Sequence, residues 1–112
     1  MSDRLLCHLH DLPEGATRGV VVESEQGESL EIILLRRNGR VLAYRNRCPH
    51  TGINLEWMPD QFLDREGAFI QCATHGALFR PEDGYCVRGP CAGESLQPVG
   101  IELLDGGIFL KR

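Results

Sequence analysis

Two short segments hold the residues best suited to chemistry. Cys48-Pro49-His50 and Cys72-Ala73-Thr74-His75 are separated by 21 residues, and each offers one thiol and one imidazole. Thiolates neutralise ferric charge and suit iron–sulfur chemistry, while imidazole is a neutral ligand that can also lose a proton. Zinc fingers usually pair like with like, as C-x(2–4)-C and H-x(3–5)-H. Here each loop supplies a mixed pair, C-x-H in the first and C-x2-H in the second. Two facing loops of this kind can reach two irons, one through two thiolates and the other through two imidazoles. Imidazoles in place of two thiolates make such a centre less negative, which raises its potential. A single zinc ion is compatible with the same ligand types.

Other groups invite a chemical reading and a plainer one. Cys86 and Cys91 flank Val87-Arg88-Gly89-Pro90. They could close a disulfide or add ligands, but burial as small hydrophobes is the usual fate of such cysteines and is expected here. Cys7, His8 and His10 alternate along an apparent first strand, where ordinary packing and solvent exposure are expected. Trp57 and Phe62 sit among Asp60, Asp64 and Glu66. They are expected to anchor a solvated acidic loop; the sharper alternative is a partner-docking patch, since aromatics are enriched at interfaces.

The elements that must position these residues read as short strands. Thirteen glycines and six prolines leave little room for long helices. Strands are expected at Leu5–Leu9, Gly19–Glu23, Leu30–Arg37, Val41–Arg45, Leu103–Leu104 and Ile108–Leu110. Asn38-Gly39 predicts a tight hairpin turn because both residues tolerate positive φ. Asp105-Gly106-Gly107 is a second hairpin signal. Between these β-rich ends, roughly residues 47–93 form a loop-rich segment with four of the five cysteines and short apolar runs such as Ala68–Ile70. The expectation is one all-β domain over residues 1–112, with that segment inserted in a β scaffold built from both chain ends.

Composition narrows the function. A 112-residue chain buries roughly 60–70% of its extended surface, enough for one core without staples. A net charge of −4 and a pI near 5.5 argue against nucleic acid, which needs clustered Lys and Arg. An acidic surface suits a basic protein partner instead. No segment approaches the roughly 18 apolar residues of a membrane helix. The opening residues show neither a secretory signal nor a transit peptide. A cytoplasmic location follows as the default, and five cysteines, an odd number, point there to metal or cluster ligation rather than a disulfide framework.

On Cys48-Pro49-His50-Thr51-Gly52 and Cys72-Ala73-Thr74-His75-Gly76, with Gly84 and the Gly89-Pro90 loop behind them, the chain resembles the Rieske ferredoxin family. The resemblance extends more loosely from the opening LCHLHDLPEG to the closing hairpin. It implies an antiparallel β-sandwich with a small cluster-binding subdomain, holding one [2Fe–2S] cluster. Cys48 and Cys72 would ligate the inner iron, and His50 and His75 the outer one, whose exposed imidazole edges would pass electrons to partners. Gly89-Pro90 would supply a third loop covering the cluster.

Departures from the family pattern also carry implications. Ile53 and Thr74 stand where Rieske proteins of the cytochrome complexes carry a disulfide. Ala77 and Phe79 stand where those proteins carry a Ser and a Tyr that donate hydrogen bonds. Without those donors the reduced cluster is less stabilised, so a potential toward the lower end of the Rieske range is expected. The long spacer is expected to bend Leu55–Asp64 into an extra surface loop. The function implied is a monomeric one-electron carrier between a reductase and a terminal oxygenase. With His50 and His75 committed, only His8 and His10 are left for catalysis. A small subunit of a larger reductase, such as nitrite reductase, and a zinc-stabilised interaction module are the rival readings.

Overall fold

The computed structural model describes residues 5–23, 27, 29–47, 62–63, 67–72, 76–89 and 92–111. Its centre is β3 (Ser29–Arg37). Ile32, Ile33, Leu34 and Leu35 are all buried, so this strand is covered on both faces. An unbroken apolar run, rather than alternation, is what such a strand requires. Successive side chains point to opposite faces. Ile33 and Leu35 therefore enter one core, and Ile32 and Leu34 another.

β2 (Thr17–Glu23) and β4 (Arg40–Arg45) flank β3 in an antiparallel sheet. Arg37 lies opposite Arg40, leaving Asn38 (φ 55°) and Gly39 (φ 76°) as the turn. Two successive positive φ values are what a two-residue hairpin of matching twist demands. The Glu14 carboxylate caps this turn, accepting the amide hydrogens of Asn38 and, at 2.9 Å, Gly39. Those bonds, Gly39's foremost, hold its carboxyl below the usual carboxylate range.

The chain ends build a second sheet in the order β1-β9-β8, from β1 (Leu5–His8), β8 (Ile101–Leu104) and β9 (Gly107–Leu110). Its Leu6, Cys7, Ile108 and Leu110, with Leu12, cover Ile32, Leu34 and Ala43. The closing hairpin uses only Asp105 and Gly106 as its turn, because Leu104 already pairs with Gly107. Gly107 thus belongs to the strand rather than to the expected three-residue loop. Alternation along β1 also fails. A register shift between Leu5 and Cys7 turns both Leu6 and Cys7 inward, and His10 lies on a 3₁₀ turn over Leu9–Asp11. The plainer reading of these side chains holds: Cys7 is buried, and His8 and His10 are exposed.

A third sheet, β5-β6-β7, comprises β5 (Ile70–Gln71), β6 (Leu78–Phe79) and β7 (Cys86–Arg88). It falls within the loop-rich segment and packs on the opposite face of the central sheet. Ile70, Cys72, Ala77, Phe79 and Cys86, joined by Phe62 and Leu96, share a core with Ile33, Leu35 and Tyr44. Of the acidic spacer, Phe62 is fully buried and Leu63 bridges Ile70, so the expected surface loop does not include them. Phe62 is a core anchor. Trp57, Asp60, Asp64 and Glu66 lie outside the described residues. Among the described residues there is no α-helix, and no helix long and apolar enough to cross a membrane.

Tyr44 locks the third sheet to the second face of β4. Its ring packs in the shared core, and its hydroxyl donates to the buried Pro81 carbonyl at 2.7 Å. Burial pushes the phenol up to about 12. Tyr44→Phe leaves the Pro81 carbonyl without this donor and should cost about 1–3 kcal/mol in denaturant unfolding. Because the phenol is raised from 10.0 to about 12, its contribution is complete below pH 10 and fades as pH climbs toward 12. The gap between wild type and Tyr44→Phe should therefore shrink across that window; a gap constant from pH 8 to 12 would contradict this assignment.

Candidate cluster-binding site

Of the four candidate ligands, Cys72 has a described position. Cys48, His50 and His75 lie outside the described residues, as do Pro90 and Cys91. Cys72 directly follows β5, and two backbone bonds close the loop it opens. Its amide donates to the Ala77 carbonyl and its carbonyl accepts from the Gly76 amide, both at 2.9 Å. Gly76 has φ +67°, a conformation glycine adopts without strain. Cys72 and the Gly76-Ala77 pair that leads into β6 are thus tied together, and candidate His75 lies between them in sequence.

Among the described residues, the core that contains Cys72 is apolar. Cys72 is fully buried among Phe62, Ile70, Ala77, Phe79 and Cys86. An isolated thiolate in such a place is costly unless a cation neutralises it. A buried thiol whose backbone is held by two hydrogen bonds fits a sulfur ligand to ferric iron. Cys86 lies in the same core but plays another part. Its thiol is turned to its own strand, 3.2 Å from the Arg88 carbonyl, as befits a small buried side chain. Ala77 and Phe79 are also fully buried, so the two positions expected to lack hydroxyl donors are occupied by apolar groups inside this core.

Two glycines bring the remaining chain into place. Gly89 ends β7 at φ +106°, and a Cβ there would stand 2.8 Å from the Ala77 Cα. The backbone entering the Gly89-Pro90 loop therefore lies directly on the loop that begins at Cys72. Gly84, at φ +75°, backs onto the Tyr44 ring, where a Cβ would come within 2.9 Å of Cε1. Sequence reasoning singled out both glycines but had no signal for their partners. Tyr44 carries no motif, and its contact with Pro81 spans 37 residues.

A buried cysteine directly after the first strand of a small antiparallel sheet, with Gly89 packed against Ala77 beside it, agrees with a cluster-binding subdomain of the Rieske kind. Residues 3–103 match the family model described as the Rieske [2Fe-2S] domain, and the chain belongs to that family. The family's cofactor is a [2Fe–2S] cluster. No curated protein sequence matches the chain. Solved structures do. Sphingomonas yanoikuyae B1 ferredoxin is similar over 100% of this chain and 99% of its own, at 21% identity and a TM-score of 0.70. A ferredoxin of carbazole 1,9a-dioxygenase from Nocardioides aromaticivorans IC177 matches 95% of this chain and 93% of its own, at 19% identity and a TM-score of 0.69. A chain in the complex of reduced oxygenase and oxidized ferredoxin in carbazole 1,9a-dioxygenase matches 95% of this chain and 89% of its own, at 21% identity and a TM-score of 0.70. At these identities the likeness is one of fold.

The close approach at Gly89 gives a sharp test. Gly93 has a similar φ of +95° with nothing within 4 Å of its missing Cβ. Gly89→Ala and Gly93→Ala share the cost of a positive φ, but only Gly89→Ala adds the clash with Ala77. Overpacking of that kind costs typically about 1–3 kcal/mol beyond the shared term. Equal losses for the two variants in thermal or denaturant unfolding would contradict the packing described.

Proposed function

We propose that this chain is a one-electron carrier that moves electrons from a reductase to a terminal oxygenase. The observation that carries the proposal is a complete set of mixed ligands, Cys48, His50, Cys72 and His75, in a chain that matches the Rieske [2Fe-2S] domain over residues 3–103. Cys48 and Cys72 would hold one iron and His50 and His75 the other. When bound, the cluster supplies one reversibly exchanged electron. The chain's own residues hold it, exclude water around Cys72 and leave Ala77 and Phe79 without hydroxyls to stabilise added negative charge.

The choice of partners is supported by the fold-level likeness to ferredoxins, one of them in a structure of an oxygenase–ferredoxin complex. The chain would act as carrier rather than catalyst, since His8 and His10 are the only histidines outside the ligand set. We further propose a cytoplasmic monomer and a single domain over residues 1–112, with the segment 47–93 devoted to the cluster.

A spectroscopic redox titration tests this reading. It should show one electron per chain, with a midpoint toward the lower end of the roughly −150 to +300 mV Rieske range. A midpoint above about +200 mV on that scale would contradict the role assigned to Ala77 and Phe79. The reduced protein should be reoxidised by a Rieske-type terminal oxygenase in the presence of its substrate. Failure to exchange electrons with any reductase or oxygenase component would overturn the shuttle.

A further inference from the structure

The turn between β6 and β7 is gripped from the central sheet at two successive residues. Tyr44 of β4 holds the Pro81 carbonyl. One residue on, the Glu82 carboxylate lies 3.4 Å from Nε of Arg37, the last residue of β3. The same guanidinium donates through Nη1 to the Gly67 carbonyl at 2.9 Å. Gly67 precedes β5 and Glu82 follows β6. One side chain from the central sheet therefore spans both arms of the hairpin whose loop begins at Cys72.

Chemistry and geometry both favour arginine for this task. Its planar fork presents several donors in fixed directions, so it can satisfy a carbonyl and a carboxylate at once. The ion pair by itself contributes little, because the Glu82 side chain is 58% exposed. The bond to Gly67, with a charged donor and a neutral acceptor, contributes more. Its origin is also rigid. Gly15 donates to the Arg36 carbonyl at 2.7 Å, Arg36 donates to the Ala16 carbonyl at 3.2 Å, and Glu14 fixes the turn just beyond. The small sheet needs such a tie. Strands of two or three residues are too short to set their own orientation through ladder bonds.

We infer that Arg37 is a positioning residue for the cluster loops: it holds the arms before β5 and after β6 at a fixed spacing and so fixes where Cys72 presents its sulfur. The inference rests on the cluster reading given above. Arg37→Met keeps the apolar stem and removes the fork. Ile108→Val, trimmed in the opposite core, serves as a control that lowers global stability without touching these arms. Native-state hydrogen exchange should show the Gln71 and Cys72 amides, bonded to the Phe62 and Ala77 carbonyls, opening about tenfold faster in Arg37→Met, relative to the Ile33 amide of β3. Cluster release to an iron chelator should accelerate to a similar degree. Ile108→Val should change neither the exchange ratio nor the release rate. If Arg37→Met shifts the exchange ratio and the release rate no more than Ile108→Val, Arg37 is an ordinary surface residue and the inference falls. Should the wild-type protein prove unable to hold a cluster, the carrier reading fails, while the exchange ratio still decides whether Arg37 orders the Cys72 loop.

Discussion

The double burial of β3 is the constraint on which the rest depends. Four successive aliphatic side chains, Ile32 to Leu35, are removed from water, each contributing on the order of 1.5–3 kcal/mol. Because the strand period is two, this run must serve two cores. One is closed by the sheet made from the two chain ends, the other by the small sheet that carries Cys72. The small sheet therefore needs no independent core. It borrows Ile33, Leu35 and Tyr44 from the central sheet, which explains how strands of two and three residues persist.

Polar contacts then turn a shared core into a fixed orientation. Hydrophobic contact is non-directional and tolerates sliding; a hydrogen bond to a particular carbonyl does not. Tyr44 reaches Pro81, Arg37 reaches Gly67 and Glu82, and the Glu14 carboxylate steadies the turn from which Arg37 projects. Within the β6–β7 turn, Asp83 accepts from the Arg80 side chain and the Tyr85 amide. At the far end of this hairpin the missing side chain of Gly89 lets β7 close onto Ala77. In the proposed electron carrier, such fixed contacts would serve the function. A ligand shell that moves little between oxidation states imposes a small structural barrier on each transfer.

Much of the scaffold was legible because its signals are local. Asn38-Gly39 specified its turn through two residues that accept positive φ, and the strands on either side followed. The Asp105-Gly106 turn was found with one glycine too many, since Gly107 looks like a turn residue until its pairing with Leu104 is known. Cys7 and Leu6 both point inward because of a register shift that no pattern of polarity announces. The small sheet was missed as a sheet: two-residue strands cannot display a period. Cys72 was proposed as a ligand from the paired Cys–His spacing, and the structure places it buried directly after β5. Cys48, His50 and His75 have no described position, so the four-ligand set is a proposal anchored at one residue. Arg37–Gly67 and Tyr44–Pro81 were invisible in advance. They join positions 30 and 37 residues apart, and nothing in either residue's type distinguishes it from its neighbours.

The central claim is that Cys48, His50, Cys72 and His75 together hold a pair of sulfide-bridged irons. It is tested most directly by the metal content of protein purified without oxygen. Two irons and two acid-labile sulfides per wild-type chain are predicted, with both lost on Cys72→Ser. A colourless wild-type protein that contains zinc, or one into which reconstitution installs neither iron nor sulfide, would contradict it.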